Sequence, residues 1–349
     1  MKKIITVIGA RPQFIKAAPV SRALLSVGIE EVLVHSGQHY DANMSDIFWQ
    51  ELGLPEVKYH LQVGSGSHAK QTGQIMVKFE EILQAKESHV DAVLVYGDTN
   101  TTLAVALVAS KLNVPIIHVE AGLRSFNRSM PEEINRILTD NISDYLFCSS
   151  DVSINQLKKE GILGKVYNVG DVMYDAFLLF SEMAQNKISD NLPKGDFSLF
   201  TLHRQGNTKD ANQVNSIIEQ LSSISHEVLW PIHPRIKNLL SELNIPENVT
   251  VIEPLGYLEM LQALQECNYV ITDSGGLQKE AYWARKQCFT LRDDTEWVET
   301  LENNWNTLVK IQSEKLGDKL GIKPTSEWKP LYGDGIAADQ MAEILKSII

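Results

Sequence analysis

HVEAGLRSFNRSMPEEINR, residues 118–136, is the stretch on which the reading of this chain turns. It follows the apolar run 114–117 and ends in helical spacing, so it reads as a strand, a charged loop and a helix in succession. Glu120, Glu132 and Glu133 crowd together with Arg124, Arg128 and Arg136 into nineteen residues, broken by Gly122 and Pro131. Pro131 in a first helical turn, with Glu132 and Glu133 complementing the helix dipole, accounts for two of the acids as ordinary helix-start chemistry. Glu120 is left over. A carboxylate at the end of a buried strand stands where open α/β sheets bind their ligands, which puts a functional role ahead of a solvated loop.

Working outward, the same strand-then-helix alternation fills the first half. Short runs rich in Val, Ile and Leu at 4–8, 31–35, 92–96, 114–119 and 145–148 have the composition of strands buried on both faces. Helical patterns at 71–84, 101–112 and 132–142 lie between them, which predicts right-handed crossovers and a parallel sheet covered on both sides. A less regular segment, 181–195, precedes a second series with strands at 197–202, 228–232, 249–252, 269–272 and 288–291 and helices at 211–223 and 277–284. The expectation is α/β with two domains, 1–170 and 171–349, the last helix at 336–349 free to pack back on the first domain, and a ligand cleft between the strand ends of the two.

A chain of 349 residues with 44% apolar content suits two cores. A net charge of -12 argues against a nucleic-acid or anionic-membrane partner, although an anion can still be held locally. Cys148, Cys267 and Cys288 sit in or beside apolar runs and read as reduced core residues, which suits the cytoplasm. Arg11 and Lys16 interrupt the first apolar run too early for a signal peptide or a membrane span.

Several motifs stand at strand ends. GARPQFIK, 9–16, brings Arg11 and Lys16 to a helix start, an anion corner or, equally, a capped surface turn, and it is neither a Walker loop nor GxGxxG. In HSGQHY, 35–40, His35 and His39 bracket a glycine at a strand end, so the helical face that joint metal ligation needs is missing; Gln38 and His39 read as polar contacts or an ordinary turn. YGDTNTT, 96–102, offers Asp98 either as a helix N-cap or as the partner of Glu120 in an acid/base pair. TLHRQGN, 201–207, sets His203 and Arg204 directly after a buried strand, where a histidine can hold a phosphate or shuttle a proton, while His233 in WPIHP reads as structural. TDSGGLQKEA, 272–281, runs a strand into Asp273, Ser274, Gly275 and Gly276 at a helix start, a cradle for a diphosphate, with Glu280 placed for a ribose diol. Arg292, Thr295, Glu296 and Glu299 follow on the same rim.

Taken in order, GARPQFIKAAPV, SGQHYDANMS, YGDTNTTLA, HVEAGLRS, MPEEINR, TLHR, TDSGGLQKEA and RDDTEW resemble the non-hydrolysing UDP-N-acetylglucosamine 2-epimerase family. The resemblance implies two Rossmann-like domains in a GT-B arrangement, a site in the interdomain cleft, no metal or nicotinamide cofactor, and a cytoplasmic homodimer that binds a UDP-sugar and UDP. It implies Asp98, Glu120, Glu132 and His203 as catalytic residues, with Arg11, His203, Ser274, Gly275 and Gly276 on the diphosphate and Glu280 on the ribose. Lys16 and Arg136 would complete the polar shell, and Arg204 and Arg292 stand with the binding residues. In related bacterial enzymes a loop like Gln38 and His39, with a residue like Gln71, belongs to a second, regulatory substrate site. The chemistry implied is inversion at C2, from UDP-GlcNAc to UDP-ManNAc, by anti elimination of UDP and its re-addition through 2-acetamidoglucal, in making surface polysaccharide precursors.

This sequence departs from the family pattern at three places. Trp297 stands where many members have Arg, and GARPQ and SGQHYD replace GTRPE and TGQHR. These variants look closer to the branch acting on UDP-2,3-diacetamido-2,3-dideoxyglucuronate. A GT-B glycosyltransferase and a non-catalytic nucleotide-sugar sensor share the SGG and Glu280 features and stay open as other classes; a hydrolysing epimerase is the lesser subclass.

Overall fold

Strands apolar on both sides belong in the middle of covered sheets, and β1 (Lys3–Ile8), β4 (Ala92–Tyr96) and β8 (Phe197–Thr201) are buried along nearly their whole length. The computed structural model describes residues 2–38, 52–85, 89–185 and 192–349. The chain divides into two compact units, Met1–Leu178 with Pro330–Ile349, and Leu179–Lys329.

In the first unit the described strands form one parallel sheet in the order β3-β2-β1-β4-β5-β6-β7. Here β2 is Glu30–His35, β3 Val57–His60, β5 Ile116–Val119, β6 Tyr145–Cys148 and β7 Lys165–Asn168. Strand order runs one way from β1 to β3 and the other way from β4 to β7, so right-handed crossovers deliver helices to opposite faces. Ile5, Val7, Val32, Val34, Val93 and Val95 line the face that packs on helices His68–Gln84 and Asn100–Lys111 through Ile75, Phe79, Ala104 and Val105. Helix Arg11–Ser26 packs instead on the C-terminal helix Ala337–Ile348, which buries Ala337, Ala338, Met341, Ala342 and Leu345.

The second unit repeats the plan with a parallel sheet in the order β10-β9-β8-β11-β12-β13. Its strands are β9 (Glu227–Pro231), β10 (Val249–Ile252), β11 (Tyr269–Thr272), β12 (Gln287–Thr290) and β13 (Asn306–Leu308). Phe200, Trp230, Ile271 and Phe289 form its core with Val214, Ile217, Leu221 and Ile236. The class is therefore α/β with two Rossmann-like units, as in GT-B proteins. Each sheet reverses its strand order once, between β1 and β4 and between β8 and β11, and such a switch point opens a crevice at the carboxyl ends of the strands.

Three strands lie where the sequence predicted none. β3, β7 and β13 are sheet edges, and β3 and β7 are half-open to solvent, so they carry no doubly apolar run. The predicted irregular segment 181–195 is helical at its start, because Val172–Gln185 is one continuous helix. The predicted boundary at 170/171 differs from the observed division for a local reason. Asp171 N donates to Tyr332 O (2.9 Å), Ala338 N donates to Asp175 Oδ2 (2.6 Å), and Gly170 lies so close to Tyr332 that a Cβ there would meet its carbonyl oxygen at 2.8 Å. These bonds hold 171–178 in the first unit together with the returning segment 330–349. Among the described residues no helix is long and apolar enough to cross a membrane. The three cysteines are buried and free, and burial pushes the thiols of Cys267 and Cys288 up to about 12 and that of Cys148 also upward.

Candidate active site

Gln13 ties together the two loops at the switch point of the first unit. Its buried amide oxygen accepts from Gly9 N (2.8 Å) and Ala10 N (3.1 Å), and its nitrogen reaches Tyr96 O (2.9 Å), Thr99 Oγ1 (3.0 Å) and Thr102 Oγ1 (3.1 Å). Thr99, not Asp98, is the N-cap of helix Asn100–Lys111, its side chain accepting from Thr102 N. That overturns the capping reading of Asp98 and leaves its carboxylate for other partners.

Those partners are the other residues picked out by the sequence. Arg136 NH2 lies 3.2 Å from Asp98 Oδ2, and Lys16 Nζ pairs with Glu120 Oε2, both members of the second pair being close to fully enclosed. Enclosure raises the pKa of Asp98; the Arg136 charge opposes this, Glu120 adds to it, Lys16 opposes it, and Glu132 adds again, for a net shift upward. The side chain keeps 36% of its surface open, yet the density around it makes desolvation the largest influence. Glu132 is exposed on the first turn of helix Pro131–Ile142, near enough for its charge to be felt by Asp98. Asn135, on the same helix, donates to Asp98 O (2.9 Å). Glu120 has φ +69, a left-handed conformation that an L side chain adopts at a cost of about 1–2 kcal/mol. Such strain clusters at working sites.

Beneath these acids lies a fully buried layer that sequence reading missed. His118 reaches Asp140 Oδ1 through Nδ1 (2.7 Å) and Gly97 O through Nε2 (2.8 Å), which fixes the turn carrying Asp98. Asp140 also accepts from Arg124 NH1 (2.7 Å) and Gly122 N (3.2 Å), and Arg124 Nε continues to Glu160 Oε1 (2.8 Å). Glu133 stands in the first helical turn as expected, and has a second role. Its buried carboxylate accepts from Ser125 N (2.8 Å), Ser125 Oγ (2.9 Å) and Phe126 N (3.0 Å), bracing the loop before the helix. The dense charge of 118–136 thus separates into scaffold, Arg124 and Glu133, an enclosed carboxylate paired with Lys16, Glu120, and an exposed acid, Glu132.

Arg11 opens helix Arg11–Ser26, partly buried. Gln38 and Gln71 meet at the start of helix Asn100–Lys111, where Thr101 N and Oγ1 donate to Gln38 Oε1 (3.1 and 2.7 Å) and Asn100 Nδ2 donates to Gln71 Oε1 (2.8 Å). His39 lies outside the described residues. His35 is buried and stacked on Phe14, with ring centroids 5.4 Å apart.

The second unit builds its edge around Asp273, which the sequence places at the strand end without a role of its own. His203 N (3.1 Å) and Arg204 N (2.9 Å) donate to its carboxylate, as does Asn207 Nδ2 (3.1 Å), and His203 Nδ1 stands 3.0 Å away. Burial alone would raise the pKa of Asp273, but the hydrogen bond and charge of His203, with Arg204 N and Asn207, outweigh it and hold the group below the ordinary carboxylate range. An ionised acceptor at Nδ1 assigns the proton there and leaves Nε2 of His203 for a ligand. His233 Nδ1 accepts from Arg235 N (3.2 Å), a capping role. Ser274 is the N-cap of helix Gly275–Trp283, and Gly276 is exposed at its first turn. A Cβ on Gly275 would lie 2.8 Å from Glu296 Oε1, 3.7 Å from Arg204 NH2 and 3.9 Å from Arg292 NH1, so two guanidinium groups border this helix start. Arg292 NH1 is 3.0 Å from Glu296 Oε2. Helix-start N–H groups and two arginines bring positive charge to this corner, and the Glu296 carboxylate stands against it. Glu280 is buried and accepts from Tyr257 OH (3.2 Å). Lys279, also buried, lies 3.5 Å from the centroid of the Trp297 ring, so the tryptophan noted as a departure covers a cation.

With this geometry in place, the comparisons with known proteins are specific. Residues 24–346 match the family model described as UDP-N-acetylglucosamine 2-epimerase. The UDP-2,3-diacetamido-2,3-dideoxy-D-glucuronate 2-epimerase of Pseudomonas aeruginosa is 47% identical over 99% of this chain and all of its own length. The UDP-N-acetylglucosamine 2-epimerase of Methanocaldococcus jannaschii is 40% identical over 98% of each chain. The crystal structure of the M. jannaschii enzyme in complex with UDP-GlcNAc and UDP matches 99% of this chain and all of its own, with a TM-score of 0.90 and 41% identity.

Proposed function

Because the chain belongs to the UDP-N-acetylglucosamine 2-epimerase family, whose members are UDP-sugar isomerases, we propose that it inverts C2 of a UDP-linked 2-acetamido sugar, UDP-GlcNAc to UDP-ManNAc. The C2 hydrogen is not next to a carbonyl, so its removal must be coupled to loss of UDP. A base takes the C2 proton, the C1=C2 double bond forms as the C1–O bond breaks, and UDP leaves by anti elimination. Re-addition of UDP, with a proton delivered to the opposite face of C2, yields the epimer. The reaction needs a base, an acid and a firm hold on UDP.

The observation that carries this reading is the cluster of Asp98, Glu120 and Glu132 with Lys16 and Arg136 at the switch point of the first unit. The upward shift of Asp98 favours it as a proton carrier, whereas Lys16 stabilises negative charge on Glu120. His203, Arg204, Ser274, Gly275, Gly276 and Arg292 are suited to the diphosphate, with Arg11 offering a further guanidinium, and Glu280 is suited to the ribose diol. Gln38 and Gln71 belong to the proposed regulatory site. A homodimer, a cytoplasmic location and a role in polysaccharide precursor synthesis complete the proposal; sedimentation of the purified chain tests the first of these.

A second reading keeps the chemistry and changes the sugar to UDP-2,3-diacetamido-2,3-dideoxyglucuronate. It is favoured by Trp297 on Lys279 and by the 47% identity to the P. aeruginosa protein. Proton NMR in D2O with each sugar separately decides between the two. Deuterium at C2 with a new manno-configured product identifies the substrate. UDP binding with no exchange on either sugar points to a sensor, and sugar transfer to an added acceptor points to a glycosyltransferase.

A further inference from the structure

Phe126 exposes 75% of its surface and has φ +57, a left-handed conformation that bulky L residues rarely adopt. A ring in water and a strained backbone are both unfavourable on their own account, yet the surrounding loop is braced to keep them. Buried Glu133 accepts from the N–H groups of Ser125 (2.8 Å) and Phe126 (3.0 Å), and Asn127 Oδ1 accepts from Ser129 N (3.2 Å) and Oγ (2.6 Å). Arg136 then links this brace to the acids, with Nε 3.4 Å from Glu133 Oε2 and NH2 3.2 Å from Asp98 Oδ2. The carboxylate that fixes the Phe126 peptide is thus one guanidinium away from Asp98. An aromatic side chain in the open, on a loop whose backbone brace shares Arg136 with Asp98, is shaped for something that arrives.

We propose that Phe126 contacts the substrate, its ring covering the acetamido methyl and the C1–C2 edge of the bound sugar; this rests on the epimerase reading above. The chemistry of that reading creates the need. Once UDP has left, the glycal no longer carries the charge of the diphosphate and has no covalent bond to the protein, so contacts to its own polar groups together with shape and apolar cover must retain it. UDP remains held through its charges. If the glycal departs, the balance is one UDP-sugar consumed for one UDP and one glycal released, with no other reactant.

Phe126→Gly removes the ring and relieves the backbone, because glycine adopts φ +57 freely. The variant should melt at the wild-type temperature or about 1–3 °C above it. NMR of the turnover mixture gives the ratio of released glycal and UDP to epimer, which should rise at least ~10-fold while the Kd for UDP changes less than ~2-fold. Phe126→Tyr should keep the wild-type ratio. A loop with only a structural role would change melting and leave the ratio alone. Wild-type kcat, KM and ratio in Phe126→Gly would overturn the inference. Wild-type protein that turns over neither sugar would instead overturn the epimerase reading, and this inference with it.

Discussion

Asp98 follows β4 and Asp273 follows β11, the strands that flank the reversal of order in the first and the second unit. The two acids hold equivalent places in one topology and are driven in opposite directions. Around Asp98, enclosure and neighbouring carboxylates outweigh Arg136 and Lys16, and its pKa goes up. Around Asp273, burial pushes the same way, but donors from His203, Arg204 and Asn207 converge on the carboxylate and its pKa goes down. Topology decides where an acid stands; the donors aimed at it decide whether it exchanges a proton or serves as a fixed anion.

The sharpest way to break this contrast is Asp98→Asn. It should lower kcat by ~10³-fold, about 4 kcal/mol of barrier, with the Kd for UDP within ~3-fold of wild type by calorimetry. Near-normal kcat would remove Asp98 from the chemistry. Asp273→Asn should do the reverse. An amide offers one acceptor where several N–H groups converge, so unfolding stability should drop by about 2–3 kcal/mol and UDP binding should weaken ~10- to 100-fold. Chemical denaturation and titration with UDP check both.

Asp175 sharpens the comparison from outside the site, since burial pushes it up to about 6 although it serves only to bond the start of helix Ala337–Ile348. The folded state then holds this proton more tightly than the unfolded chain, so its contribution is full below the ordinary value of 3.8 and is lost as pH rises through about 6. Stability should fall by about 2 kcal/mol between pH 4 and pH 8 on account of this group, and Asp175→Asn should flatten that slope in melting curves. An unchanged slope would mean that Asp175 does not titrate there. The smallest effect is expected from Gly275→Ala. Its Cβ would meet the movable end of Glu296 at 2.8 Å, so the side chain can yield and UDP affinity should fall only ~2- to 5-fold. A larger loss would mean that Glu296 is fixed.

Much of this was legible in the sequence where burial writes a pattern. Central strands such as β4 and β8 announce themselves because both faces are apolar, and an acid just beyond such a strand, Asp98 or Glu120, is conspicuous. Edge strands such as β3 are silent because solvent relaxes that demand. Buried polar bonds are silent for a different reason. His118 and Asp140 are 22 residues apart and Gln13 reaches Thr102 across 89, and no local periodicity records such pairs. The one available signal was a polar residue in an otherwise apolar strand, as His118 is in β5. The left-handed backbone of Glu120 had no sequence mark at all, since glutamate gives no hint of positive φ.

The first unit is closed by segment 330–349, whose helix lies against helix Arg11–Ser26. On the ribosome this becomes a matter of timing. Residues 179–329 are synthesised before the segment that covers the first helix, so the second unit can finish folding while the first still shows an apolar flank. Chain released at residue 329 should therefore contain a protease-resistant second unit beside a first unit cut readily near Arg11–Ser26, and equal resistance of both would show that the last helix is not needed to complete the first. A nascent chain of this design depends, from residue 179 until segment 330–349 has been made, on whatever shields that flank in the cell.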